Sequence, residues 1–380
     1  MSTVLRHTFF FILTLTFLCA CSSGKSGTTE GEPIAFAHAS LLEMERTDSF
    51  TLVKVKDPWH TGKALATYLL VDRTAPMPKS LPEGTVVRTP LEHAALTTSV
   101  HVALLAELGA ASRVAGLADA EFVVSPEVKA LLSTQGGHIR PMGSSMQPNV
   151  ELVRAAHCDA VFISPYENAG SGPLERLGVP VISCADYMET SPLGRAEWMR
   201  FYGMLFGCEE RADSLFNKVQ TCYETLAQQV AKCGEHRPTV ICDQQTGATW
   251  YQPGGESTMG KMLADAGANY VWKDRKEAGS LPLDMESVFA RGRNADIWLI
   301  KYGADAPLSY SSLATDNPRY CRFRAWTNRS IWTCNTLRTP FYEETPFHPE
   351  RLLENFVAIF HPSLLPHSIA HTYYAPMDAQ

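Results

Sequence analysis

Positive charge is in short supply: 33 Lys and Arg stand against 40 Asp and Glu, a formal net charge of −7. A nucleic-acid binder needs a basic face to neutralise phosphates, so that class is set aside. Cysteine is sparse as well, with 10 in 380 residues, which excludes a disulfide-dense scaffold. Beyond the first twenty residues no apolar run approaches the ~18 residues of a membrane-spanning helix. Neither G-x-S-x-G nor H-E-x-x-H occurs, which removes two common hydrolase signatures. Gly255-Glu-Ser-Thr-Met-Gly260-Lys261 imitates a phosphate-binding loop. Met262, however, stands where the Mg²⁺-holding Ser or Thr belongs, and no strand immediately precedes it. What remains is an apolar, globular composition long enough for two ordinary domains.

The N-terminus reads as a targeting segment. Arg6 and His7 precede the apolar stretch Phe9–Leu18, of signal-peptide length. It ends in Leu18-Cys19-Ala20-Cys21, which resembles the lipobox of bacterial lipoproteins and implies a diacylated Cys21 at the mature N-terminus. Residues 1–20 are thus expected to be a signal peptide and 21–33 a flexible tether of small and polar residues. Several acyl chains hold a body to a membrane where one does not. No acidic run follows Cys21, so the body is expected in the cell envelope, facing the periplasm. Among the remaining thiols Cys222 and Cys233 lie ~16 Å apart on one predicted helix, too far to bridge. Cys321 and Cys334 are the pair considered for a disulfide. No C-x-x-C zinc pattern occurs.

From residue 86 onward short apolar runs alternate with helical spacing. Val86-Val87, Val114–Leu117, Val161–Ser164 and Pro180–Ser183 read as buried strands, with helices at Ser99–Leu108, Ser125–Leu132 and Asn149–Ala156. Such alternation implies a parallel sheet covered on both faces. Before it, Phe50–Val55 and Thr67–Val71 alternate like an antiparallel hairpin. The rhythm restarts with strands at Thr239–Cys242, Asp296–Ile300 and Ile331–Cys334 and helices at Thr258–Ala266 and Pro349–Phe360. Residues 193–233 contain no strand. Ala212, Leu215, Phe216, Val219, Cys222, Tyr223, Leu226 and Val230 mark one face of a helix, ~34 Å long from Glu209 to Ala231. The fold class expected is α/β: an N-terminal lobe at 34–192, a connecting helix region at 193–233 and a C-terminal lobe at 234–380, with parallel-rich sheets and one rigid strut.

Several segments in this order carry a family resemblance. Arg113-Val114-Ala115-Gly116-Leu117, Pro148-Asn149-Val150-Glu151-Leu152-Val153 before Cys158-Asp159-Ala160-Val161-Phe162-Ile163, and Leu177-Gly178-Val179-Pro180-Val181 lie in the first half. Ala266-Gly267-Ala268-Asn269, Asp284-Met285-Glu286-Ser287-Val288 and Ala295-Asp296-Ile297-Trp298 lie in the second. The closing Phe360-His361-Pro362-Ser363 and Tyr373-Tyr374 look like members from the Bacteroidota. Over roughly residues 34–375 the chain resembles bacterial substrate-binding lipoproteins of ABC importers for iron complexes and vitamin B12. The family's proline in the second segment is replaced by His157-Cys158. The resemblance implies a cleft between two lobes, an iron–siderophore, haem or corrinoid ligand, and delivery to an inner-membrane ABC permease without chemistry on the ligand. An envelope chelatase-like enzyme acting on metallated tetrapyrroles is the alternative, because such enzymes can use a related fold.

In that family one surface Glu on each lobe pairs with Arg on the permease, which assigns Glu151 and Glu286 to docking. Acidic residues in first helical turns also suit the helix dipole. The ligand should meet loops at the carboxyl ends of strands: Thr89–Ser99, Ala118–Val124, Pro165–Ala169 and Asp186–Thr190, then Asp243–Gly255, Tyr302–Pro307 and Asn335–Glu344. Trp250, Tyr251, Tyr166, Tyr187, Tyr302 and Arg338 fall in them as candidate ligand-binding residues, since large flat ligands need aromatic walls and a few polar anchors. His93, His101 and His138 are the candidates for a metal or an axial haem bond. Each is expected to be satisfied or solvated, with no metal site, catalytic residue or resident cofactor.

Overall fold

The computed structural model describes residues 31–168, 172–234, 236–365 and 372–377. The leader, Cys21 and most of the tether lie outside the described residues. The described chain opens with β1 (Glu32–Ile34), β2 (Leu42–Arg46), β3 (Thr51–Lys56), β4 (Ala64–Asp72) and β5 (Thr85–Thr89), which pair in that order. β3 and β4 form the antiparallel pair expected from their alternation, with Val53 and Val55 buried on either side of exposed Lys54. β5 joins β4 in parallel. Val86-Val87 therefore belongs to this first sheet and not to the first lobe's parallel sheet, where its sequence rhythm had placed it.

The first lobe is built on β6 (Ala94–Leu96), β7 (Val114–Leu117), β8 (Arg140–Pro141), a hairpin of β9 (Gly143–Ser144) and β10 (Gln147–Pro148), then β11 (Ala160–Ile163) and β12 (Val181–Ser183). Its sheet runs β12-β11-β6-β7-β8, all parallel. α1 (Ser99–Glu107), α2 (Pro126–Leu131) and α3 (Val150–Ala155) belong to this lobe. β6, the central strand, lies inside the stretch read as a loop. Its three residues, Ala-Ala-Leu, lack the β-branched and aromatic types that mark strands. Tyr68 of the opening sheet covers the β12 edge: its hydroxyl donates to the Val181 carbonyl (3.0 Å) and accepts from the Ser183 N–H (2.7 Å).

Three helices follow: α4 (Pro192–Glu197), α5 (Met199–Phe206) and α6 (Glu209–Lys232). Gly207, at φ +64°, ends α5 in the left-handed conformation a glycine adopts without Cβ strain. Ala212, Phe216, Val219, Tyr223 and Val230 make the buried stripe of α6, at the spacing the sequence displays.

The second lobe contains β13 (Thr239–Cys242), β14 (Gln245–Thr246), β15 (Thr249–Pro253), α7 (Thr258–Asp265), β16 (Asn269–Tyr270), β17 (Ser280–Leu283) and α8 (Met285–Gly292). It continues through β18 (Ile297–Tyr302), α9 (Tyr310–Asp316), α10 (Arg324–Thr327), β19 (Ile331–Asn335), α11 (Phe341–Glu344), α12 (Pro349–Phe360) and β20 (Ala375–Pro376). Its main sheet runs β16-β13-β18-β19-β20, with only β20 antiparallel, and β14-β15-β17 form a separate small sheet. The fold is thus two α/β lobes joined through the long helix α6. α12 packs along α6, and the Tyr223 hydroxyl donates to Asp265 of α7 (2.7 Å). At the other end Arg200 of α5 binds Asp213 (2.8 Å), so the strut is fixed along its length. Cys321 and Cys334 are both free, the first exposed and the second buried in β19, so the pair considered from sequence is not bridged.

Candidate functional site

Parallel sheets place all their strand carboxyl ends on one edge, so the loops that follow gather there. The lobes meet along these edges. Glu343, on α11, accepts from the N–H groups of Val124 (3.2 Å) and Ser125 (2.6 Å), in the segment after β7. Thr258, at the start of α7, donates its hydroxyl to the Glu189 carbonyl (2.8 Å), in the segment after β12. Between the two edges lies a cavity of about 570 Å³, a size ordinary for small-ligand sites. Thr98, Ser99, Val100 and Arg195 line it on one side; Met259, Met262, Lys301 and Tyr342 line it on the other. A second cavity of about 560 Å³ shares Lys301 and Tyr342 and runs past Asp243, Tyr251 and Tyr302.

The polar groups of this wall are held by named partners. Asp186 is buried and accepts from Arg195 Nε (3.1 Å) and the Tyr202 hydroxyl (2.9 Å), with His101 Nε2 at 3.3 Å. Burial pushes the Asp186 carboxyl up, but the bond from His101 and the charge of Arg195 outweigh it and hold it below the usual carboxylate range. The other His101 nitrogen meets the Thr98 hydroxyl at 2.7 Å. Thr98 therefore spends its side chain on His101 and makes no cap bond to the amides of α1. Lys301 Nζ lies 3.1 and 3.2 Å from the two Asp243 oxygens. Burial disfavours its charge, yet Asp243 carries the ammonium above its ordinary value, so Lys301 stays charged at neutral pH.

The sequence-selected residues divide. Tyr251, half exposed, and Tyr302 line the second cavity. Tyr166 and Tyr187 stand exposed on the first lobe's edge, the Tyr187 hydroxyl donating to the Pro165 carbonyl. Arg338 is exposed on the facing edge and donates to the Asp305 carbonyl (2.7 Å). Trp250 does not reach the cleft: it is 0% exposed, its indole N–H donates to Cys242 O (2.9 Å), and it packs on Trp298, Tyr320 and Phe323. The segment taken for a loop is the β14–β15 pair, in which Trp250 and Gln252 point inward while Tyr251 points out. Sequence reasoning missed Arg195, assigned to the connecting region, and Lys301, one residue short of the named loop. Tyr342 lay within a named loop but was not singled out.

Among the described residues the exposed aromatic side chains fall on the two facing edges, Phe122, Tyr166 and Tyr187 on one and Tyr251 and Tyr342 on the other, whereas exposed Met77, Met146 and Leu152 lie elsewhere. Among the described residues no group of His, Cys, Asp and Glu is placed to hold a metal ion. The arrangement suits capture of a bulky, largely apolar molecule with a charged appendage. Glu151 and Glu286 lie away from these cavities, each the second residue of its helix behind an Asx cap. Asn149 accepts from the Glu151 and Leu152 N–H groups (3.0 and 3.2 Å) and Asp284 from Ser287 (2.6 Å). Both side chains are exposed, and Glu286 pairs with Arg319 (2.5 Å).

The model of the periplasmic binding protein family matches residues 94–336. An uncharacterised lipoprotein of Methanocaldococcus jannaschii is 25% identical over 234 residues, covering 60% of this chain and 53% of its own length. The chain thus spans about half the length of that curated relative. Among solved structures, a protein of an Fe³⁺-hydroxamate ABC transport system from Saccharomonospora viridis superposes with a TM-score of 0.56 at 21% identity, over 72% of this chain and 94% of that one. A periplasmic haem-binding protein from Pseudomonas aeruginosa gives 0.58 at 18% identity, over 75% and 97%.

Proposed function

The chain belongs to the periplasmic binding protein family, and from that membership we propose that it is the substrate-binding lipoprotein of an ABC importer. In this reading it captures a siderophore- or haem-bound iron, or a corrinoid, between its lobes and passes it to an inner-membrane permease. The observation that carries the reading is the interlobe cavity flanked by exposed aromatic residues on both facing edges. Neighbouring structures named for Fe³⁺-hydroxamate transport and haem binding support the ligand class. Acylated Cys21 holds the body to the cell envelope, in keeping with a relative named as a lipoprotein. Family and fold are those of a binding protein, which argues against the chelatase alternative. The test titrates the full mature protein, extracted in detergent, with haemin, ferric siderophores and cobalamin, followed by absorbance. Saturable binding of one class with Kd about 1 μM or tighter is expected; saturation by none of them overturns the reading.

Docking belongs to Glu151 and Glu286 in the same reading. Both are exposed and lie outside the cleft, so Glu151→Ala and Glu286→Ala should leave folding and ligand affinity nearly unchanged. Uptake by cells carrying the double variant should fall more than with either single one, because each truncation strands a permease cation covered by the complex. Arg319 competes for Glu286 in the free protein, so Arg319→Ala should leave uptake intact. Mass spectrometry on the same membrane fractions reads lipid on Cys21. Unchanged uptake in a lipidated double variant returns both residues to helix-end electrostatics, and an unmodified Cys21 overturns the anchor.

A further inference from the structure

We propose that the interlobe cavity selects a ligand carrying an anionic group, bound between Arg195 and Lys301; this rests on the importer reading above and names the class of its ligand. Two cations line the cavity, and among the described residues no carboxylate does. Arg195 spends only its Nε on Asp186. Its terminal nitrogens carry no bond among the described residues, although a guanidinium offers five N–H donors. Asp186, fixed in turn by Tyr202 and His101, sets the direction of that fork without standing on the cavity wall. Lys301 enters from the opposite lobe, at the end of β18, held by Asp243. Its ammonium is shared by both cavities, and since Asp243 and Asp316 line the second, an anionic arm belongs in the first, on the Arg195 side.

The rest of the wall sets the remaining chemistry. Met259, Met262, Phe341 and Leu352 offer apolar surface, and unbranched Met side chains adapt to an irregular outline. The first turn of α1 reaches the same cavity at Ser99 and Val100, and its partial positive charge has the sign of the two side chains. A ligand with an apolar body and an anionic arm fits this wall. Haem with its propionates and a ferric complex of catecholates share that chemistry. An uncharged ferric trihydroxamate and a neutral corrinoid lack it. Charge-assisted bonds from an arginine fork are stronger and more directional than neutral ones, so the preference should be measurable.

The experiment compares matched probes on the full mature protein: haemin against its dimethyl ester, and a ferric tricatecholate against a ferric trihydroxamate. At least one anionic probe should bind about 10- to 100-fold more tightly than its uncharged counterpart, the span expected for hydrogen bonds to a charged group. Arg195→Gln and Lys301→Gln should each remove most of that advantage, the anionic probe losing clearly more affinity than its uncharged counterpart. Arg195→Lys, which keeps the charge and loses the fork, should retain part of it. If a variant does not fold, the wild-type comparison still decides the ligand class. Equal or tighter binding of the uncharged member in both pairs overturns the anionic assignment and leaves the importer reading standing. A preference that survives in folded Arg195→Gln and Lys301→Gln overturns the assignment to these residues. If none of the four probes nor cobalamin binds, the importer reading itself fails.

Discussion

Glu189→Leu should destabilise the folded chain by about 1–3 kcal/mol, the scale of stranding a buried hydrogen-bond donor. One carboxylate there accepts from the Ser40 N–H (3.0 Å), the Ser40 hydroxyl (2.7 Å), the Leu41 N–H (2.9 Å) and the indole N–H of Trp198 (2.9 Å). Glu197, one helix on, accepts from the N–H groups of Ala37 (3.0 Å), His38 (2.8 Å) and Ala39 (2.8 Å). Together they pin the segment between β1 and β2 onto α4. The approach is close: a Cβ on Gly194 would stand 2.7 Å from the His38 carbonyl oxygen. Leu at 189 fills the volume but offers no acceptor. Ser40 is exposed and recovers water, whereas Trp198 is fully buried and does not. Glu189→Gln keeps one acceptor oxygen and should cost clearly less. Urea unfolding checks this through a lower midpoint at unchanged slope. A loss below about 1 kcal/mol for the Leu variant would mean that the pinned segment contributes little to the fold.

Those two carboxylates also mark where sequence reading ran out. Most of their partners lie about 150 residues upstream and are backbone N–H groups, which carry no residue-type signal. Periodic segments were legible because packing imposes a period: Glu209–Lys232 is one helix with the stripe its spacing displays, and the four-residue Thr-Val-Ile-Cys run is β13. Short elements were not. β6 has three residues without strand character, and the β14–β15 pair sat in a Gly- and Gln-rich stretch that reads as loop. Assigning that stretch to a loop turned Trp250 outward in expectation, while a two-residue period would have turned it inward beside exposed Tyr251. The cleft followed the same division. Aromatic residues on loops could be guessed from composition and place, and Tyr251 and Tyr302 do line a cavity. Arg195 and Lys301 could not, because their meaning depends on two lobes meeting and on Asp186 and Asp243, each reached through the fold.

His348 should make the contact between the lobes pH-dependent, with the variant His348→Gln losing on the order of 2 kcal/mol near pH 6 and progressively less as pH rises through the folded value. Its Nε2 lies 2.6 Å from Glu107 of α1 and its Nδ1 2.8 Å from Glu350 of α12. Only the imidazolium donates through both nitrogens at once; a neutral ring turns a lone pair toward one carboxylate. Burial works against the charge, but the bonds to Glu107 and Glu350 outweigh it and raise the His348 pKa above its ordinary value. Stability from this group is therefore full below the unfolded value, about 6.5, and is lost as pH rises through the higher folded one. Glu107 moves the other way, held below the carboxylate range chiefly by His348 against a burial penalty. Its share is present above the unfolded carboxylate value and is lost as pH falls through the depressed one. Glu107 is 39% exposed on its side chain, so water screens the pair and makes it weaker than a dry ion pair. The surrounding charges are Arg351 beside Glu107 and Glu344 (3.9 and 3.5 Å), Lys218 of α6 acting on Glu107, and Glu127 and Glu343 on the same cavity. Within this cluster His348, whose ordinary value is about 6.5 and whose folded one is raised by Glu107 and Glu350, is the group expected to lose its charge as pH rises. Urea unfolding at a series of pH values should show wild-type stability declining toward alkaline pH relative to His348→Gln. Parallel curves for the two proteins would sink the idea, and Glu107→Gln should reduce the same difference if the α1 side of the clasp is where it arises.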